Sequence, residues 1–227
     1  MISTWNLKLL PDIDKLYKIC NAIKLITLII NKFDFDFFNI NDNKIFSFDQ
    51  KQGYFLRVLF NKDICMVYGF DNNSGMSPIR NNGDVWFGIL ELIPENFRTL
   101  LIHNITEKNI NFLPITYCVW REKTDSEWRI GEIIYSDNEF RDGSEMMSIF
   151  DSRYFFKMCL NNLESSKYLD ENDIYLDQEL VDYFFNYNPL NNNILKKINP
   201  YISLYDIKYE LNKIDYPIDD KQLEMLF

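Results

Sequence analysis

Three acidic side chains near the tip of one predicted hairpin are the residues best placed to do chemistry. Residues 115–122 and 127–135 are predicted as two strands joined by a turn at Thr124-Asp125, which sets Glu122 opposite Glu127. Two facing carboxylates, with Asp125 beside them, are typical of a metal site or of a general acid–base pair. An exposed hairpin tip also solvates such carboxylates at little cost, so an enzyme that uses these three residues is the weakest of three functional hypotheses.

The same hairpin register pairs two tryptophans with two arginines. It sets Trp120 opposite Arg129 on one face of the strands and Arg121 opposite Trp128 on the other. A guanidinium over an indole ring is a cation–π contact worth ~0.5–2 kcal/mol. One interpretation is that both pairs only stiffen the hairpin; the other is a recognition platform, because Trp and Arg dominate binding hot spots. Trp120, Arg121 and Trp128 are therefore candidate partner-binding residues.

Other catalytic and cofactor-binding patterns are missing from the sequence. The one histidine, His103, falls at the end of a predicted helix, where the helix dipole favours a cation. There is no Gly-x-Ser-x-Gly motif, no glycine-rich phosphate loop and no Cys-x-x-Cys pair, and the loop after Asp71 lacks the glycine and glutamate of a calcium loop. We therefore predict no catalytic residue, no metal and no cofactor, which favours a non-enzymatic protein. Four cysteines with apolar neighbours are predicted to be small buried thiols: Cys20, Cys65, Cys118 and Cys159.

Negative charge is concentrated towards the end of the sequence. The chain carries 34 acidic and 24 basic side chains, a net charge of −10, of which residues 1–135 account for −1 and residues 136–227 for −9. The acidic segment, residues 164–182, has one lysine and seven carboxylates: Glu164, Asp170, Glu171, Asp173, Asp177, Glu179 and Asp182. It is either a solvated surface that keeps the protein soluble or a binding face for a basic partner, since complementary charge speeds and selects association. Candidate apolar anchors beside it are Tyr175, Tyr183, Phe184 and Phe185.

Composition excludes several other classes of protein. With 47% hydrophobic and 16% aromatic residues the chain is too apolar to be disordered, and its negative charge argues against direct binding to nucleic acid. The longest apolar run, residues 25–30, is far short of the ~20 residues that cross a bilayer. Because no secretory signal follows Met1, a cytoplasmic location without membrane contact is expected.

Alternating apolar residues between short turns predict the sheet that carries the hairpin. The additional predicted strands are residues 33–37, 44–49, 54–60 and 64–70. Turns of a few residues join them, which requires antiparallel neighbours because parallel strands need a crossover of a dozen residues or more. The expected result is an antiparallel meander of about six strands with helices on one face.

Helical spacing predicts the remaining elements and completes an α+β fold. Helices are expected over 11–31, over 85–103 and from residue 142 to the C-terminal end, which makes the last part of the chain helical. Capping boxes are predicted at Asp142 with Glu145 and at Ser203 with Asp206. The predicted division is residues 1–135, a helix and a sheet with a helical insertion, and residues 136–227, an acidic helical part packed on the same domain.

Several short blocks of the sequence carry a resemblance to a known group of proteins. They are Tyr68-Gly69-Phe70-Asp71, Met76-Ser77-Pro78, Trp86-Phe87-Gly88, Pro94-Glu95-Asn96-Phe97, Cys118-Val119-Trp120-Arg121, Asp125-Ser126-Glu127-Trp128, Asp142-Gly143-Ser144-Glu145, Asn188-Pro189-Leu190, Asn199-Pro200 and Tyr216-Pro217. Over roughly residues 68–217 the chain resembles a family of uncharacterised acidic bacterial proteins, and the resemblance implies no catalytic residue. In size and charge the chain is also similar to immunity proteins of bacterial toxin systems.

Three functional hypotheses follow from these observations. The first is an acidic protein-binding module that acts as an immunity protein and neutralises a basic toxin, such as a nuclease. The second is a phage-type inhibitor whose acidic face mimics nucleic acid and blocks a defence nuclease. The third is an enzyme that uses Glu122, Glu127 or Asp125, with or without a metal. The first two predict a basic protein partner and salt-dependent binding.

Overall fold

The computed structural model describes residues 1–31, 33–40, 42–50, 53–106, 112–135, 141–164 and 173–219. The six helices described are α1 (Ile13–Ile29), α2 (Glu95–Thr106), α3 (Ser152–Glu164), α4 (Gln178–Phe185), α5 (Asn192–Ile198) and α6 (Leu204–Leu211). The strands are β1 (Phe35–Ile40), β2 (Asn43–Gln50), β3 (Tyr54–Phe60), β4 (Ile64–Asp71), β5 (Tyr117–Glu122) and β6 (Arg129–Ile130). Short 3₁₀ helices lie at Leu7–Leu9, Pro78–Arg80 and Ser144–Phe150. The α+β class predicted from the sequence is confirmed.

The six strands form one sheet in the order β1-β2-β3-β4-β5-β6, so the predicted meander is confirmed. From β2 to β6 each neighbouring pair is antiparallel, as the short turns between β2, β3 and β4 require. Residues 54–60 form β3 as predicted, whereas β1 lies two to three residues later than the predicted strand 33–37. Between β4 and β5 the chain leaves the sheet and includes α2.

Both faces of the central strand are covered. All eight residues of β4 are buried, so side chains on both faces of this strand are shielded from solvent. One face belongs to a hydrophobic cluster that α2 completes with Phe97 and Leu101. From the strands this cluster contains Ile45, Leu59, Ile64, Met66, Tyr68, Cys118 and Trp120. Removing such apolar area from water stabilises the fold by roughly 25 cal/mol per Å².

Two predicted elements are shorter than the sequence pattern indicates, and two glycines explain why. The helix predicted over 85–103 begins only at Glu95, because Gly88 adopts φ +88° and passes so close to the backbone of Glu132 that a Cβ would clash with it. The strand predicted over 127–135 is reduced to two residues, because Gly131 lies against the backbone of Gly88. Close backbone approach of this kind uses the missing glycine side chain and interrupts regular structure.

The chain divides into two compact units that differ from the predicted division. Unit 1 comprises residues 1–13 and 38–148, and unit 2 comprises residues 14–37 and 149–227. The boundary falls inside β1, and α1 is grouped with the C-terminal helices rather than with the rest of the sheet. The sheet follows α1 in the sequence, but α1 groups in space with the C-terminal helices.

Within unit 1, the N-terminal residues form hydrogen bonds with the segment that ends the unit. Ile2 N donates to Ser148 Oγ at 2.9 Å, and the hydroxyl of Thr4 donates to Asp142 Oδ2 at 2.6 Å. Asp142, predicted to form a capping box with Glu145, instead accepts from Ser144 N at 2.9 Å. Burial raises the pKa of the Asp142 carboxyl, although the bonds from Ser144 and Thr4 oppose that shift.

Unit 2 packs α1 with the last helices. Asn199 Nδ2 donates to Ile29 O at 2.9 Å and so ties the end of α5 to the end of α1. Asp215 N donates to Asn21 Oδ1 at 3.1 Å. The capping box predicted at Ser203 is confirmed and begins α6.

Candidate functional site

The hairpin of β5 and β6 keeps the predicted register for one pair and loses it for the next two. Trp120 lies opposite Arg129, as predicted. The ladder ends at this pair, so the predicted pairs Arg121 with Trp128 and Glu122 with Glu127 are wrong. The tip from Arg121 to Trp128 is instead a wider turn.

Asp125 is the residue that shapes this turn. Its Oδ2 accepts a hydrogen bond from Glu122 N at 3.1 Å, and its Oδ1 forms an ion pair with Arg129. Its backbone oxygen accepts a hydrogen bond from Arg121 Nε at 3.1 Å. The carboxylate thus satisfies backbone and side-chain donors, which is the structural role of an Asp in a turn. This geometry gives the acid–base hypothesis for Asp125 no support.

The two tryptophans of the predicted platform are buried. Trp120 is 2% exposed and belongs to the hydrophobic cluster, whereas the side chain of Arg129 is 59% exposed and pairs with Asp125. Trp128 is 7% exposed, and its Nε1 donates to Pro11 O at 2.7 Å. Trp120 is therefore a core residue, and Trp128 fixes the hairpin to the N-terminal segment. A platform that offers both indole faces to a partner does not form.

A groove lies beside this turn, within unit 1. Its free volume is about 220 Å³. The lining residues are Leu7, Lys8, Leu10, Arg121, Ser126, Glu127 and Trp128. The sequence predicted that Arg121 and Trp128 belong to a binding site, but it did not indicate that residues 7–10 join them, because that contact spans more than a hundred residues. The groove combines charged groups of both signs with aliphatic side chains.

The acidic segment lies in unit 2, and the structure describes the side chains of four of its seven carboxylates. Asp170 and Glu171 lie outside the described residues, as does the side chain of Glu164. Asp173 and Glu179 are exposed, and Asp177 and Asp182 are half-buried. By unit rather than by sequence, charge is shared equally: each unit has 17 acidic and 12 basic residues.

Two of the acidic side chains hold helices in place. Asp177 is the N-cap of α4 and accepts a hydrogen bond from Leu180 N at 2.7 Å. Burial opposes its ionisation, but this bond, one from Tyr175 and the charge of Lys197 lower the pKa of its carboxyl. Asp182 accepts hydrogen bonds from Ser152 Oγ at 2.6 Å and Gln178 Nε2 at 2.9 Å, which joins α3 to α4. Asp173 and Glu179 are therefore the carboxylates best placed to meet a partner.

Exposed tyrosines accompany the acidic segment. Tyr175 is 50% exposed, whereas Phe184 is buried and Tyr183 and Phe185 are half-buried. Of the four predicted anchors, one is therefore exposed. Three further tyrosines, not selected from the sequence, are 71–76% exposed: Tyr201, Tyr205 and Tyr209. Their spacing of four residues, set against the buried Leu204, Ile207 and Leu211 of α6, is the pattern that could have indicated them.

Two hydrogen bonds join the exposed tyrosines to the carboxylates. The hydroxyl of Tyr201 donates to Asp173 Oδ2 at 2.7 Å, and this bond raises the pKa of Tyr201. In the same way, Tyr175 donates to Asp177 Oδ2 at 2.7 Å. We call the group of Asp173, Tyr175, Glu179, Tyr201, Tyr205 and Tyr209 the tyrosine–acid surface.

Thiol and metal chemistry receive no support from the described side chains. All four cysteines are buried and free, as predicted, and burial raises the pKa of Cys159 to about 12. Within the described ranges, no group of three His, Cys, Asp or Glu side chains has an arrangement that holds a metal ion. The side chain of His103 lies outside the described residues. Among the helices described, none is both long and apolar enough to cross a membrane.

Comparison with protein-family models, with curated proteins and with solved structures gives no match to this chain. The resemblance of residues 68–217 to a family of acidic bacterial proteins therefore stays a prediction.

Proposed function

We propose that the protein is a non-enzymatic module that binds a basic protein, and that it acts as an immunity protein neutralising a toxin such as a nuclease. The observation that carries the proposal is the tyrosine–acid surface, in which Tyr201 is hydrogen-bonded to Asp173 and both side chains are exposed. Tyrosine offers a large rigid contact area with a polar tip, and it is enriched at binding hot spots.

The charge around this surface suits a cationic partner. Residues 173–195 contain four carboxylates and no basic side chain. The aromatic rings in this unit already accept ammonium groups, with Lys197 Nζ 5.7 Å from the Tyr175 ring centre and Lys213 Nζ 4.5 Å from that of Tyr209. An Arg or Lys of a partner could form the same kind of contact with the exposed tyrosines in place of Lys197 or Lys213, and could pair with Asp173 or Glu179.

The test distinguishes the effect of the tyrosine–acid surface's charges on affinity from the effect of the protein's net charge. The wild-type protein is immobilised and exposed to lysate of its native host at low and at high salt, and retained proteins are identified. The proposal expects a basic nuclease that is released at high salt and inhibited by the purified protein. The variant Asp173→Asn/Glu179→Gln is expected to weaken binding about tenfold, and Tyr205→Ala/Tyr209→Ala more than tenfold.

A matched control removes the same charge from unit 1. Asp84 and Glu91 are exposed, so Asp84→Asn/Glu91→Gln changes the net charge equally and is expected to leave the affinity unchanged. Equal weakening by the control would refute a localised surface, and retention of no basic protein at low salt would refute the proposal. A toxin gene beside the coding gene favours the immunity role, whereas phage genes there favour the nucleic-acid-mimicking inhibitor.

A further inference from the structure

We propose that the groove beside the β5–β6 turn binds an aliphatic α-amino carboxylate, either a free amino acid or the last residue of a peptide. The site is independent of the tyrosine–acid surface, because all its residues belong to unit 1. Its chemistry has three parts: cations for the carboxylate, an anion for the α-nitrogen and aliphatic walls for the side chain.

Two cations face the same groove. Lys8 is exposed, and Arg121 is half-buried. In the described part of the chain neither forms an ion pair, and Arg121 uses only its Nε, which donates to Asp125 O at 3.1 Å. The terminal nitrogens of Arg121 are thus available to a carboxylate, for which a guanidinium has matching geometry.

One anion lines the groove together with these cations. Glu127 lines the groove, is exposed and has no ion pair among the described residues, although Lys8 lines the same groove. Opposite charges that share a small groove without pairing suit a ligand that itself carries both kinds of polar group. The carboxylate of Glu127 would accept the N–H of an α-ammonium group or of a peptide amide.

The aliphatic walls and the fixed aromatic ring supply the apolar part. Leu10 is buried and Leu7 half-buried, and both line the groove with Trp128. The bond from Trp128 Nε1 to Pro11 O holds the indole in place. Hydrogen bonds to backbone oxygens already fix the side chains of Trp128 and Arg121. Ligand binding therefore costs little additional side-chain entropy at these two residues.

The volume limits the size of the ligand. About 220 Å³ lies below the ~300–1,000 Å³ of sites that hold drug-sized ligands. A single amino-acid residue is the unit that fits. An aliphatic side chain suits the leucine walls better than a polar one.

Three probes separate the functional groups. L-leucine has both charges, N-acetyl-L-leucine has the carboxylate with an amide N–H, and L-leucinamide lacks the carboxylate. Binding is followed by NMR through the indole Nε1–H signal of Trp128, assigned with Trp128→Phe. We expect L-leucine or N-acetyl-L-leucine to shift the signal at millimolar concentration, and L-leucinamide to leave it unchanged. Tighter binding of L-leucine identifies a free amino acid, and binding of N-acetyl-L-leucine at least as tight identifies a peptide end.

Variants test the assignment of charges. Lys8→Met is expected to weaken carboxylate binding about tenfold, whereas Lys123→Met, which removes an exposed lysine outside the groove lining, should not change it. Glu127→Gln is expected to weaken the binding of L-leucine more than the binding of N-acetyl-L-leucine, because only L-leucine carries a positive charge. The NMR spectrum of each variant shows whether it is folded. No shift with either carboxylate at about 10 mM, equal binding of L-leucinamide, or equal affinities of folded Lys8→Met and Lys123→Met would overturn the proposal.

Discussion

Replacing Arg57 with methionine is predicted to make the protein more stable. Arg57 lies in β3 between Ser47 of β2 and Tyr68 of β4 and is only 4% exposed. Its Nε and the hydroxyl of Tyr68 are buried without a hydrogen-bond partner. Among the described residues no carboxylate forms an ion pair with it. Its guanidinium carbon lies 4.7 Å from the centre of the Phe55 ring, and its charge lowers the pKa of the Tyr68 hydroxyl, which burial raises.

The magnitude follows from two opposing terms. The desolvation penalty for a buried ion is several kcal/mol, and here no ion pair offsets it. The cation–π contact with Phe55 returns up to about 2 kcal/mol. Methionine is shorter than arginine, but it is unbranched, adapts to irregular space and needs no hydrogen bond. We therefore expect Arg57→Met to raise the free energy of unfolding by about 1–4 kcal/mol.

Urea unfolding of the variant and of a control measures this change. Arg141 is an exposed arginine of the same unit, and Arg141→Met is expected to change stability by no more than about 0.5 kcal/mol. An unchanged m-value would show that the unfolding reaction is comparable. A loss of more than about 1 kcal/mol in Arg57→Met alone would refute the reasoning, because the guanidinium would then be stabilising the native state.

Three further substitutions test other parts of the fold. Gly69→Ala should cost about 1–3 kcal/mol by urea unfolding, because a Cβ at this strand position would clash with the buried hydroxyl of Tyr117. Because burial raises the pKa of Asp142, the native state holds its proton more tightly; wild-type stability relative to Asp142→Asn should therefore fall as the pH rises from about 4. A pH-independent difference would contradict this. Ser203→Ala should cost about 1 kcal/mol through loss of the α6 cap, detectable as a lower Tm.

The fold was predictable where local patterns decide it. The strands over 54–60 and 64–71 follow from alternation and short turns, and Ser203 with Asp206 is a local signal for a helix start. The helix predicted over 85–103 is wrong in its first part. Gly88 lies against the backbone of Glu132, and this contact joins segments more than forty residues apart. Such contacts leave no mark on local periodicity.

The candidate sites were predictable only in part for the same reason. Residue type pointed to Trp120, Arg121 and Trp128, but type does not reveal burial, and both tryptophans are in the interior. The pairs Arg121 with Trp128 and Glu122 with Glu127 were predicted, but the ladder ends before them and Asp125 bonds to Glu122 N and Arg129. The groove needed the N-terminal segment, which no local signal connects to this hairpin.

Net charge alone does not single out the C-terminal part as the binding region. Division at residue 135 leaves −9 in the second part. Residues 14–37, with a net charge of +1, group with that part, and residues 136–148, with −3, group with unit 1, so each unit carries −5. A difference of charge between the units therefore cannot direct a basic partner. What distinguishes unit 2 is local: residues 173–195 carry four carboxylates and no basic side chain, and exposed tyrosines form hydrogen bonds with two of these carboxylates. Because screening limits charge effects to about 8–10 Å at physiological salt, it is this local arrangement that decides where a partner binds.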